Sequence, residues 1–145
     1  MTSNDTAAAA RTIGLWDVTF AGAGVNIDGA GGDDDLTLNF TGTTVVDGAE
    51  VTDVRNFASG NGGSTTVTGT FTTTGTQTYS DAVTVVTANT TLVATGHTLA
   101  AVDGGGFNLT LTGSGAGTTT LGGAVSNVGV LSIDSGTGGI TVSGG

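Results

Sequence analysis

Leu36-Thr37-Leu38-Asn39-Phe40 alternates apolar and polar side chains without a break, and Leu109-Thr110-Leu111 carries the same pattern further along the chain. In an extended strand successive side chains leave on opposite faces, so this order puts aliphatics on one side and hydroxyls and amides on the other. Working outward, similar short runs at 17–20, 43–46, 65–74, 82–86, 90–94, 118–121, 130–133 and 139–142 predict further strands. Glycine-rich spacers at 28–32, 60–63, 104–106, 113–117 and 136–139 separate them and supply the conformational freedom that tight corners need. The pattern predicts an all-β fold. Ala7–Ala10 is too short to nucleate a stable helix. Residues 1–24 are therefore expected as an N-terminal linker or cap, with Trp16 as the first large core side chain.

Composition narrows the class. The 145 residues include 28 Gly, no Pro and no Cys, with 37% hydrophobic and only 10% charged side chains. Disordered chains usually show the reverse, high charge and few apolar groups, so most of this one should fold. Arg11 and Arg55 stand against twelve acidic residues, for a formal net charge of −10. Such a surface repels phosphate backbones and anionic headgroups, so neither nucleic acid nor membrane insertion is expected. No apolar run approaches the roughly 18 residues of a membrane-spanning helix. The first residues, Met1-Thr2-Ser3-Asn4-Asp5, lack the basic start and apolar core of a signal peptide. The sequence accordingly reads either as an intracellular protein or as a segment of a longer exported one, and the repeat favours the second.

Self-similarity supports that reading. Asp28-Gly29 returns as Asp103-Gly104, and the same offset relates Gly42-Thr43-Thr44 to Gly117-Thr118-Thr119 and Thr66-Val67 to Thr141-Val142. Residues 25–145 are thus expected to hold two copies of a unit of about 75 residues. Two architectures accommodate short strands with one buried face: an antiparallel β-sandwich and a parallel β-solenoid. The repeat favours the solenoid (β-helix), three windings of about 25 residues per unit, with the sandwich as the alternative. Leu36, Leu38, Val67, Phe71, Val83, Leu92, Leu109, Leu111, Leu121, Val125, Leu131, Ile133, Ile140 and Val142 are expected to point inward.

One stretch carries a family resemblance. Thr73-Thr74-Gly75-Thr76-Gln77-Thr78-Tyr79-Ser80-Asp81-Ala82-Val83-Thr84-Val85, followed by Asn89-Thr90-Thr91-Leu92, resembles the TTG-x-Q-x-Y-x-D-A-V-T-L … x-TTL repeats of very large bacterial adhesins of the filamentous-haemagglutinin and autotransporter type. The similarity extends from Asn26 to Gly145 and is most specific over Gln77–Val83. It implies a right-handed β-solenoid stalk at the bacterial cell surface, extracellular, with no catalytic residues to carry over. The chain departs from the family pattern in showing neither a secretion signal nor a membrane anchor.

Few residues suggest chemistry. Gly29-Ala30-Gly31-Gly32-Asp33-Asp34-Asp35-Leu36 partly fits the calcium-binding nonapeptide G-G-x-G-x-D-x-U-x, which makes Asp33, Asp34 and Asp35 the candidate metal ligands. Tandem loops share each ion in such sites, and the matching stretch 104–108 has no acidic cluster. His97, the single histidine, reads as a turn residue. Asp81, Asp103 and Asp134 are the carboxylates a polysaccharide-acting enzyme would need in pairs. No nucleophile elbow accompanies them, and no enzyme activity and no cofactor are expected. The Thr-x-Thr series from Thr66 to Thr78 suggests an ice- or carbohydrate-binding face, although register-matched threonines are expected to be few in the second copy. The expected partners are a further copy stacked end to end, or the continuation of a longer parent chain, together with a host or cell-surface glycan.

Overall fold

The computed structural model describes residues 10–15, 18–20, 27–28, 34–85 and 88–144. Within them the chain winds as a parallel β-solenoid, three strands to a winding. The first winding holds β1 (Ala10–Leu15), β2 (Val18–Phe20) and β3 (Ile27–Asp28). The second holds β4 (Asp34–Phe40), β5 (Thr43–Asp47) and β6 (Val51–Thr52). Then come β7 (Val54–Gly60), β8 (Ser64–Thr68) and β9 (Thr70–Thr72). The fourth winding is β10 (Thr76–Tyr79), β11 (Ala82–Thr84) and β12 (Thr90–Ala94). The fifth is β13 (Gly96–Leu99), β14 (Val102–Asp103) and β15 (Leu109–Gly113). The sixth is β16 (Thr119–Leu121), β17 (Val125–Ser126) and β18 (Leu131–Asp134), after which β19 (Ile140–Val142) opens a further winding.

Every third strand is a neighbour. The first face is the seven-stranded sheet β1-β4-β7-β10-β13-β16-β19, and the second is the six-stranded sheet β2-β5-β8-β11-β14-β17. The third face consists of β3-β6 and β9-β12-β15-β18, brought into line where β6 packs beside β9. All pairs are parallel, as a chain that always returns from the same side requires. Main-chain bonds carry the ladder around the corners: Ser64 N–H donates to Gly42 O at 3.0 Å and Thr95 N–H to Gly75 O at 2.7 Å.

The winding is shorter than the sequence repeat suggests. Gln77 lies beside Phe57, and His97 beside Gln77. Thr119 follows His97 in the same way, and Ile140 follows Thr119. Each of these steps spans about 20–22 residues, the short end of the range for stacked repeats. The longer winding expected from the repeat is met only in the first step, where Leu36 pairs with Arg11. The offset of the sequence repeat therefore does not return to the same face: Leu36–Leu38 lie on the first face, whereas Leu109–Leu111 lie on the third. Within the segment 1–24, expected as a linker or cap, Ala10–Leu15 and Val18–Phe20 pair directly with β4 and β5. Trp16 and Ala7–Ala9 lie outside the described residues.

Parallel in-register pairing keeps like positions on one side, so the interior is built of columns. One runs Leu36, Phe57, Gln77, His97, Thr119, Ile140, and a second runs Leu38, Ser59, Tyr79, Leu99, Leu121, Val142. On the third face Phe71, Leu92, Leu111 and Ile133 stack in turn. Nine of the expected inward residues, from Leu36 to Leu121, are buried. The remaining five lie in the last layers. Val125 and Ile133 are partly covered, while Leu131, Ile140 and Val142 are 38%, 50% and 62% exposed. These three share columns with buried residues and, among the described residues, have no strand stacked above them.

Candidate functional site

Three carboxylates stand at or beside corners, and two of them, Asp81 and Asp103, tie adjacent windings together. Asp81 accepts the Gly62 N–H at 2.8 Å. Asp103 accepts the Gly105 N–H at 3.0 Å and the Asn127 side-chain amide at 3.1 Å. Asp134 accepts the Gly136 N–H at 3.0 Å. Gly105 and Gly136 have φ of 56° and 60°, a left-handed conformation that glycine adopts without a Cβ clash. The Gly105 N–H and the Asn127 amide hold the Asp103 carboxyl below the usual carboxylate range. Asp103, Gly105, Gly106, Asn127, Val128 and Gly129 line a shallow depression at the corner after β14. The three carboxylates named as a possible acid–base set thus serve three different corners, with Asp134 on a different face from Asp103.

The acidic stretch is divided. Asp33 lies outside the described residues. Asp34 and Asp35 are consecutive in β4 and so leave on opposite sides, Asp34 being buried. Asp35 accepts the Arg55 Nε–H at 2.8 Å and the Asn56 amide at 2.9 Å. The Arg55 guanidinium holds its carboxyl below the usual value. Among the described residues no three His, Cys, Asp or Glu side chains form a group that could hold a metal ion.

The most unusual chemistry is inside. Gln77 is fully buried and donates its amide to Phe71 O and Val93 O, both at 3.1 Å, bridging the third and fourth windings. Its carbonyl accepts the Tyr79 hydroxyl at 3.1 Å, and burial pushes the Tyr79 phenol well above its ordinary range. His97 is no turn residue: it sits in β13, 1% exposed. Its Nδ1 lies 3.2 Å from Thr119 Oγ1 and its Nε2 3.2 Å from Leu92 O. With Nε2–H donating to the carbonyl and Nδ1 accepting the hydroxyl, the neutral ring satisfies both contacts. The sequence signal for both residues is parity. Gln77 stands two before Tyr79, and His97 two before Leu99, so each shares the inward side of its strand.

Burial lowers the His97 pKa below the unfolded value of 6.5, against the opposing pull of the Leu92 carbonyl. Below pH 6.5 the unfolded chain binds a proton that the folded chain resists. The contribution of neutral His97 is complete above that pH and declines as pH falls toward the folded-state value. Urea unfolding between pH 7.5 and 5 is expected to show stability falling by at most about 1.4 kcal/mol per pH unit. A His97→Gln variant is expected to lose that slope. The lowered carboxyls of Asp35 and Asp103 act in a separate window, below their ordinary value of 3.8.

The outer side of the first face is plain by comparison. Thr37, Ala58, Thr78, Thr98, Thr120 and Thr141 occupy one outward column, in register across adjoining windings. The Thr66–Thr78 series is divided among faces, Thr66 and Thr68 in β8, Thr70 and Thr72 in β9, Thr76 and Thr78 in β10, and of these only Thr78 belongs to this column. No protein-family model, no curated protein and no solved structure matches the chain.

Proposed function

We propose that the chain is a spacer module of a bacterial surface adhesin, a stiff extracellular rod segment rather than an enzyme. The observation that supports this is the layering: each winding rests on the last with the same three faces, and the interior columns run through it. At about 4.8 Å per stacked strand, the layers build a rod on the order of 30 Å. The resemblance of Gln77–Val83 to adhesin repeats points the same way. Small-angle scattering on the single chain and on a tandem duplicate is expected to show added length at constant cross-section, and antibody against the chain should label intact cells. A duplicate that thickens instead of lengthening, or labelling that requires permeabilised cells, counts against the proposal.

The threonine column favours a second reading, a face that orders water against ice. β-Branched threonines have few rotamers, so hydroxyls and methyls in register make a rigid lattice. Phe40, Phe57, Phe71 and Tyr79 are all buried, which leaves this face none of them for stacking on sugars and favours ice over a glycan. Thermal hysteresis that is lost in Thr98→Lys/Thr120→Lys supports this reading, and its absence in the parent chain removes it.

A further inference from the structure

The corner between β7 and β8 turns on Asn61-Gly62, whose φ angles are 99° and 91°. Asparagine and glycine are the residues that take up positive φ with least strain. The pair that suits this corner also carries a reactivity. The side-chain amide of an asparagine is open to attack by the main-chain nitrogen of the next residue, and Asn61 is the one asparagine of the sequence followed by glycine. We propose that Asn61 is a self-modification site, converted through a cyclic imide to aspartate and isoaspartate, and that Asp81 of the next winding restrains the reaction. The inference goes beyond the rod reading, which stands whether it succeeds or fails.

The step balances with water as its co-reactant. Gly62 N gives up its proton and bonds to Asn61 Cγ; the Cγ–Nδ2 bond breaks, and ammonia leaves with that proton. One water then opens the imide. Cleavage of the bond between Gly62 N and Cγ leaves aspartate in the normal linkage. Cleavage of the bond to the Asn61 main-chain carbonyl carbon leaves isoaspartate, with the chain running through the side chain. A side chain on the following residue hinders the first attack. Gly62 has none, nothing lies within 4 Å of its would-be Cβ, and both residues are exposed to water. Asn56, Asn89 and Asn127 differ, being followed by Phe57, Thr90 and Val128. Each is also held at a corner: Asn56 Oδ1 accepts the Thr76 N–H at 2.8 Å, Asn89 Oδ1 accepts the Asn108 N–H at 3.0 Å, and the Asn127 amide donates to Asp103 at 3.1 Å.

The restraint is the tie between windings. Gly62 N–H donates to Asp81 Oδ1 at 2.8 Å, a charge-assisted bond stronger than one to a neutral acceptor. It keeps the nitrogen protonated and turned toward the fourth winding. A nitrogen stripped of its proton beside a carboxylate also meets like-charge repulsion. Removing the carboxylate lifts both restraints. The product acts back on the same contact. A new carboxylate at position 61 stands one residue from the amide that Asp81 holds, and the isoaspartate form adds a carbon to the main chain, which displaces Gly62 N–H from its acceptor. The modification thus loosens the third winding from the fourth at this corner.

Peptide-mapping mass spectrometry of the purified chain, aged at mildly alkaline pH, is expected to show NH2 replaced by OH at Asn61 ahead of every other asparagine. Labelling by an isoaspartyl methyltransferase should detect the rearranged linkage there. Asp81→Ala should speed conversion of the folded chain about tenfold, the worth of one charge-assisted hydrogen bond in a rate, bringing it toward the rate of the parent in urea. Asp81→Asn keeps a neutral acceptor and should fall between; it carries the test if the alanine variant loses its circular dichroism. Asn61→Gln should stop the reaction, because the longer side chain closes a less favourable ring. The aged fraction, separated by its added charge on an anion exchanger, should unfold at a lower urea midpoint. Conversion spread evenly over the asparagines overturns the site. A folded parent that converts as fast as the unfolded one, or an Asp81→Asn chain no faster than the parent, overturns the restraint, and an unchanged midpoint overturns the loosening.

Discussion

Phe71→Ala is expected to lower the unfolding free energy by about 3–5 kcal/mol, the range for a large aromatic removed from a closed core. Phe71 is fully buried and meets Phe57 edge to face, with ring centroids 5.0 Å apart at 90°, while Phe57 in turn packs on Tyr79 at 5.3 Å. The cavity left behind cannot readily collapse, because parallel ladders on either side fix the spacing of the windings. Native domains hold about 5–15 kcal/mol in total, so the loss is a large share. Each layer touches only its neighbours, and a break in the middle should also separate the two ends thermodynamically. Urea titration is expected to show a lower midpoint together with a shallower slope. Leu131→Ala, on an exposed position of the last layer, should cost far less, and an equal loss at both positions would contradict the layered account of the core.

Gly117→Val is expected to be the second severe change, costing at least the about 1–3 kcal/mol of ordinary overpacking. A Cβ on Gly117 would collide with the Thr95 carbonyl oxygen and reach within 3.0 Å of Gly96 N. Gly138 in the next winding is placed likewise, its Cβ running into the Gly117 oxygen. These atoms are backbone, which cannot swing aside as a side chain can. Gly117 has no positive φ, so the requirement is for space and not for conformation. Gly139 provides the comparison, having nothing within 4 Å of its would-be Cβ and no positive φ, and Gly139→Ala should be nearly neutral. Thermal melts of the two variants beside the parent chain test the contrast.

Much of the fold is legible along the chain because strand alternation survives in almost every segment. Leu36, Leu38, Leu109 and Leu111 are inward as their spacing demands. Winding length is less legible, since corners follow no period. Pairs such as Gly42-Thr43-Thr44 and Gly117-Thr118-Thr119 look alike because both turn into a strand, and they turn into different faces. Polarity misled at His97. A hydrophilic ring directly after Gly96 resembles a turn until Thr119 and Leu92 are seen to satisfy it. Exposure at Ile140 and Val142 could not be read from pattern, because both occupy inward positions of β19 and, among the described residues, no strand pairs with the far side of β19. Nor could the division of Asp34 from Asp35 be read from composition; it follows from strand geometry once β4 is known to include both.

The near-constant step between Phe57, Gln77, His97, Thr119 and Ile140 has a bearing on descent. Genes for such a chain can lengthen or shorten by whole steps and still present each new layer with a matching floor. An insertion of half a step instead turns every downstream side chain away from its column. Variation in length among relatives should therefore come in quanta, and the ruler is the circumference of the rod.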